Sequence, residues 1–286
     1  MSIKLNIGAG ANWSEEGWHS LDYRNIKNNK IKIFGKADNI NLENNSCSIL
    51  FCSHVIEHIP HIEIEKVFRE FNRILKIGGT LRLLTPNLKK IATAYVKKDL
   101  HFFKKVSNEI GPLKKDLGLG GTFMNLVVTS GQDNIMMDNT LSKFIAGYAH
   151  VYMYDFIMLK KLLNVCGFKV SEKKFCKSKF KDFTRPLRVK GMPPKWHNLS
   201  PKFFRKRNLI NYYDKKKGTY IKNFEMCGFD RDPTYSLIIE AIKKKEIRGK
   251  NNYKFTFSKK NNNEYSQSLL KNYNIRKKLN ILKKVK

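Results

Sequence analysis

Lys4-Leu5-Asn6-Ile7-Gly8-Ala9-Gly10, with Gly17-Trp18 and Leu21-Asp22 close behind, is the stretch that decides the fold. Between Lys4 and Asp22 it sets a short apolar strand, a two-glycine turn and a second strand ending on a carboxylate. Glycine lets the chain turn sharply and lets a ligand approach the backbone with no Cβ between them. A carboxylate at the end of the next strand can accept both hydrogen bonds of a ribose diol. A dinucleotide site would need a third glycine and an acid about 20 residues further on. Here the third position holds Trp13, and Asp22 follows Gly10 by twelve. The pattern therefore predicts a nucleoside site without a pyrophosphate cradle.

Reading outward, Ile3 to Ile7, His19 to Asp22, Ile31 to Phe34, Ser48 to Ser53 and Thr80 to Thr85 are short apolar or β-branched runs bounded by Gly, Asn or Pro. They predict strands. Between the last two, Ile64, Val67, Phe68, Phe71, Ile74 and Leu75 recur at helical spacing among charged residues. The helix is expected over Ile62 to Leu75, closed by Lys76 and Gly78. Strands alternating with helices imply a parallel sheet covered on both faces. After Pro86 the alternation stops. Residues 88–147 read as a mostly helical insertion with a Gly-rich break at Gly118-Leu119-Gly120-Gly121. An insertion after the fifth strand falls beyond the carboxyl ends of the strands, where a lid would lie. A second insertion, 177–230, mixes prolines, aromatics and cations, and residues 246–286 read as a basic tail, disordered or ordered only on a partner. The main domain is expected over 1–245, with both insertions inside it.

Further motifs fall in register with the first. Ser53-His54-Val55-Ile56-Glu57-His58 follows the fourth apolar run, and Gly78-Gly79 precedes the fifth. His150, then Phe156, Leu159, Leu162 and Leu163 with Gly167-Phe168, and finally Tyr235 to Ala241, have the pattern of a last helix and closing strands. In this order the motifs resemble the class I S-adenosylmethionine-dependent methyltransferases, and in particular a bacterial branch of them, over about half the chain. The resemblance implies a doubly wound, Rossmann-like α/β fold: a mostly parallel seven-stranded sheet with an antiparallel last strand, plus helical insertions. It implies S-adenosylmethionine as cofactor, with Asn6, Gly8, Ala9, Gly10, Asp22, Tyr23, Ser53 and His54 around it. Asp38 would take the adenine, flanked by Ile40. Two positions depart from the family pattern: Asn6 stands where many members carry an acid, and Asn12 where they carry a third glycine.

Methyl transfer from a sulfonium is an in-line displacement that needs alignment and, for a hydroxyl or ammonium acceptor, a base. His58 or Glu57 is the candidate base, and His150 a candidate substrate contact. The competing reading makes Glu57 and His58 braces for the helix that follows, and leaves His150 structural. His54-Val55-Ile56-Glu57-His58 also fits the H-x-x-E-H pattern of inverted zinc peptidases. Two histidines four apart bind zinc together only on a shared helical turn. Here His54 follows directly on a strand and Pro60 comes two residues after His58, so no metal is expected.

The chain has 286 residues, 41% hydrophobic and 12% aromatic, enough for one substantial core. No apolar run approaches the length of a membrane span, and the N-terminus lacks a signal-peptide pattern, so a cytoplasmic protein is expected. Cys47, Cys52, Cys166, Cys176 and Cys227 form no C-x-x-C pair and are expected to be reduced, structural thiols. The net charge of +32 is uneven. Residues 1–87 carry 11 Lys and Arg against 9 Asp and Glu, 88–242 carry 30 against 13, and 243–286 carry 15 against 2. Positive charge thus sits away from the cofactor half, where it could attract an acidic ligand, although an AT-rich coding sequence enriches Lys, Asn and Ile together without any such role. A small-molecule or glycan acceptor is the partner the resemblance implies. A polyanionic surface, or nucleic acid as substrate or as the ligand of a non-catalytic basic protein, is the alternative that the charge supports. Against nucleic acid stand the lack of an N-P-P-Y-type motif and of a cysteine pair suited to attack on a pyrimidine.

Overall fold

Ile3–Ile7 forms β1, and its Leu5 and Ile7 are buried in the centre of a seven-stranded sheet. In a computed structural model the described residues are 2–10, 13–23, 33–110, 118–128, 150–190, 213–214, 219–220 and 225–247. The other strands are β2 (His19–Asp22), β3 (Ile33–Phe34), β4 (Cys47–Ser53), β5 (Leu75–Pro86), β6 (Phe168–Glu172) and β7 (Ser236–Lys243). Their order is β3-β2-β1-β4-β5-β7-β6. All pairings from β3 to β5 are parallel, and β7 runs antiparallel between β5 and β6. This is the expected doubly wound, mostly parallel sheet. The order reverses at β1, where β1 leads outward to β2 on one side and to β4 on the other. In an open α/β sheet that switch point opens the crevice where ligands bind.

The helices are α1 (Ile64–Ile74), α2 (Leu88–Val96), α3 (Leu100–Ile110), α4 (Gly118–Val127) and α5 (Phe156–Val165). On one face of the sheet Val67, Phe68 and Phe71 of α1 and Leu159 and Leu163 of α5 pack on Leu5, Leu50, Leu81 and Ile239. Each such side chain, fully buried, contributes about 1.5–3 kcal/mol. Over the other face lie Trp13, Trp18, Phe51, Phe183 and Phe229. Trp13 donates from Nε1 to the Gly228 carbonyl at 2.8 Å, so the position a third glycine would hold in a dinucleotide site anchors an aromatic cluster instead. Arg82 of β5 is fully buried here, paired with Asp230 and, at 2.9 Å, with Glu240.

Two expectations need correction. α1 does not close through Lys76 and Gly78. It ends at Ile74, and Leu75 is already extended, buried and paired with Cys47 as the first residue of β5. Lys76 to Gly79 instead take up a register shift between the Cys47–Leu75 and Ile49–Thr80 pairs. Burying Leu75 under the sheet prevails over local capping preference. Nor is Gly118 to Gly121 a break: these residues open α4. The rest of the first insertion is helical as expected over α2 and α3, and Ile91, Phe103, Val106 and Leu126 make a small core with Met153 and Tyr235. Residues 111–117 and 129–149, much of 177–230 and all of 248–286 lie outside the described residues. All five cysteines are unpaired, and all but Cys176 are buried. Among the described residues no helix is long and apolar enough to cross a membrane.

Candidate active site

At the carboxyl end of β1 the chain must leave the sheet at once, and Gly8 and Gly10 do this with φ of +71° and +69°. The turn is fixed to β2. The Gly8 and Ala9 amides donate to the Leu21 carbonyl at 2.9 and 3.1 Å, and the Gly10 amide donates to Oδ2 of Asp22 at 2.9 Å. A Cβ on Gly8 would stand 2.3 Å from Cγ2 of Val55, so the space beside the turn is closed to any side chain. Gly8 and Asp22 face one cavity of about 430 Å³, together with Tyr23, Asp38, His54, Val55 and His58. Lys36, Ala37, Ile59, Pro60, Glu63 and Val67 complete its wall.

The other wall is built where β4 ends. His54 takes the left-handed conformation at φ +53°, its amide donating to the Leu84 carbonyl, and turns the chain into a short 3-10 turn over Ile56–His58. Its Nε2 lies 3.0 Å from the Ser236 hydroxyl, and its Nδ1 3.1 Å from Oε1 of Glu57. The chain Ser236–His54–Glu57 has the order of a hydrolase triad, but Ser236 is only 2% exposed and outside the cavity wall, so it serves to hold the ring. Glu57 is fully buried and accepts at Oε2 from the Thr85 hydroxyl at 3.2 Å. Its carbonyl accepts from the amides of Val151 and Tyr152, which brings His150 against the turn. The His58 and His150 rings meet edge to face with centroids 5.0 Å apart.

A family model described as a methyltransferase domain matches residues 15–83, the segment that carries Asp22, Asp38 and the His54–His58 turn. This match supports a class I S-adenosylmethionine-dependent methyltransferase, as the motifs imply. Among solved structures, the chain is similar to the YcgJ protein of Bacillus subtilis, at 12% identity over 85% of this chain and 92% of that one, with a TM-score of 0.38. It is similar also to a SAM-dependent methyltransferase from Archaeoglobus fulgidus, at 14% over 85% and 86%, TM-score 0.39. A third likeness is to phosphoethanolamine N-methyltransferase 2 of Haemonchus contortus in complex with S-adenosyl-L-methionine, at 14% over 85% and 49%, TM-score 0.39. Likenesses this distant transfer no detail of the site. Among curated proteins no sequence matches this one.

The cavity suits the nucleoside part of S-adenosylmethionine by its donor set: the Asp22 carboxylate, an acceptor for a ribose diol, on one wall with the tight turn at Gly8. Of the residues the sequence pointed to, Gly8, Asp22, Tyr23, Asp38, His54 and His58 are brought together on its wall. Asn6, Ala9, Gly10, Ile40, Ser53, Glu57 and His150 are not on it. Ile40 is buried, its amide on Oε1 of Glu70, and Ser53 keeps its hydroxyl buried without a partner. Asn12 lies outside the described residues. The apolar wall of Val55, Ile59, Pro60 and Val67 went unread in the sequence. Its signal was present in the V-I-E-H-I-P run, but apolar residues at a turn look like core until the crevice is seen.

The charges of the site follow from these contacts. The Lys66 ammonium, 2.6 Å from Asp38, holds that carboxyl below the usual carboxylate range. Burial by itself would push Glu57 up, but the adjacent His54, then His58 and His150, outweigh it and hold the carboxyl down at about 2. Burial pushes His150 down to about 4, so at neutral pH its ring is uncharged.

Proposed function

We propose that this methyltransferase acts on a hydroxyl or amine of a small or saccharide acceptor, held against the His54–His58 turn. S-adenosylmethionine, when bound, supplies a sulfonium-borne methyl group open to in-line displacement. Gly8 and Asp22 bind the nucleoside, with Asn6, Ala9 and Gly10 shaping the turn, and Tyr23, Asp38 and Ile40 on the adenine side. Ser53 and His54 close the methyl-bearing end. Aligning donor and acceptor is worth roughly 7–11 kcal/mol. His58 takes the acceptor's proton, because of the three candidates it alone stands on the cavity wall, and such a base adds about 10²–10⁴ in rate. Glu57 and His150, buried behind it, position its ring.

The observation that carries this reading is that Gly8, Asp22 and His58, from three separate chain segments, face one cavity. A volume of about 430 Å³ suits a small-molecule site. The residues fit a cytoplasmic enzyme, with five unpaired thiols. Calorimetry with S-adenosylmethionine and S-adenosylhomocysteine tests the cofactor, and absence of binding by the parent protein would remove the proposal. A screen of hydroxylated and amino acceptors by homocysteine release then tests the substrate. The net charge of +32 favours one second reading, a nucleic-acid acceptor or a purely nucleic-acid-binding role. Transfer of labelled methyl to RNA or DNA would establish the first. Salt-sensitive binding without transfer would establish the second.

A further inference from the structure

Behind the cavity wall, one ligand atom from each of Glu57, His58 and His150 lies within 4.8 Å of the others. We propose that these three side chains form a binding site for one divalent transition-metal ion of the zinc class, at the acceptor end of the cofactor cavity.

The donor set is the first ground. Two imidazoles and one carboxylate are the three-ligand set of zinc sites that keep a fourth position open, and imidazole with carboxylate selects the later first-row ions over magnesium or calcium. The second ground is independent of the clustering. Nδ1 of His150 has no hydrogen-bond partner, although the residue is only 8% exposed. Oε1 of Glu57 stands 3.1 Å from Nδ1 of His54. A buried, unsatisfied polar atom costs about 1–3 kcal/mol, and an ion held beside His150 would offset that cost. The third ground is the surrounding support. The Val127 backbone stands beside the His150 ring, whose Nδ1 has no partner. The Thr85 hydroxyl holds the other oxygen of Glu57. Metal-binding histidines and carboxylates are supported in this way. Ligands about 2.1 Å from a tetrahedral ion lie about 3.4 Å apart, so the trio has to close by rotation of its side chains.

The trio is not the one that the H-x-x-E-H spacing offers. His54, at φ +53°, spans Ser236 and Glu57 with its two ring nitrogens, and the third member of the trio is His150. Because His58 also lines the cavity, the open position faces the acceptor; with an ion bound, His58 is a ligand and no longer the base, and the ion would orient an acceptor oxygen and ease loss of its proton in its place. This use of the site rests on the proposed methyl-transfer reading; the site itself does not.

The test is metal binding by the full-length protein. After chelator treatment and dialysis, zinc titrated against a chromophoric competitor should bind one equivalent per chain. His150→Ala and, separately, Glu57→Gln should each weaken it by about 100-fold or more, as loss of a ligand costs at least what loss of a supporting contact does. Cobalt(II) added to the parent should give the visible absorption of a four-coordinate ion, lost in His150→Ala. Should either variant fail to fold, His58→Ala, at a half-exposed position, carries the same expectation. Retained calorimetric binding of S-adenosylhomocysteine shows that a variant is folded, and failure of that binding in the parent strikes the cofactor reading alone. No stoichiometric zinc in the parent, or equal zinc affinity in the folded variants, overturns the proposal.

Discussion

The backbone N–H of Gly10 donates to Oδ2 of Asp22 at 2.9 Å, so the turn after β1 and the end of β2 form one unit. That bond orients the carboxylate on the cavity wall before any ligand arrives. Asp22→Ala removes both the orientation and the hydrogen bonds that a ribose would make. A hydrogen bond to a charged group contributes about 1.5–3 kcal/mol, so affinity for S-adenosylhomocysteine should fall at least tenfold by calorimetry. Unchanged affinity would mean that the nucleoside sits elsewhere.

Gly8 faces two constraints that can be separated. Its φ of +71° costs an alanine about 1–2 kcal/mol, and the approach of Val55 to 2.3 Å adds an overpacking term of about 1–3 kcal/mol. Gly8→Ala should therefore lower stability, and adding Val55→Ala should recover the second part but not the first. Strict additivity of the two substitutions in urea unfolding would show that the contact is not the cause.

Arg82 is the only cation at hydrogen-bond distance from Asp230 among the described contacts, and it also holds Glu240. Burial already pushes the Asp230 carboxyl up. Arg82→Met leaves buried acids uncompensated and should cost about 3–5 kcal/mol, read as a lower denaturation midpoint. A midpoint within error of the parent would deny the network its structural role.

Acid should weaken the chelator-treated protein in two steps of the same sign. His150 is held down at about 4 against an ordinary 6.5, so between these values the unfolded chain binds the extra proton. The stability this gives is present above 6.5 and is lost as the pH falls toward 4. Glu57, at about 2 against 4.5, contributes stability that is present above 4.5 and is lost on approach to 2. Each difference corresponds to ~3 kcal/mol. His150→Gln should flatten the dependence of unfolding free energy on pH between 4 and 6.5. Parallel curves for the two proteins would count against the assignment.

What the sequence determined by itself was whatever depends on neighbours along the chain. Alternating strands and the α1 stripe, the two left-handed glycines and the acid at the end of β2 follow from backbone geometry and hydrophobic period, and they yield the doubly wound sheet and half of the cavity. The tertiary structure decided what depends on distant segments meeting. The fold brings His150 against Glu57 and His58 through backbone bonds to the Glu57 carbonyl, and sets Asp230 and Glu240 around Arg82. It also sets the His54 ring between Glu57 and the hydroxyl of Ser236, far along the chain, so that both of its nitrogens have partners. Such contacts leave no period or spacing in the sequence: they arise from the closing of a sheet whose last strand enters between two others.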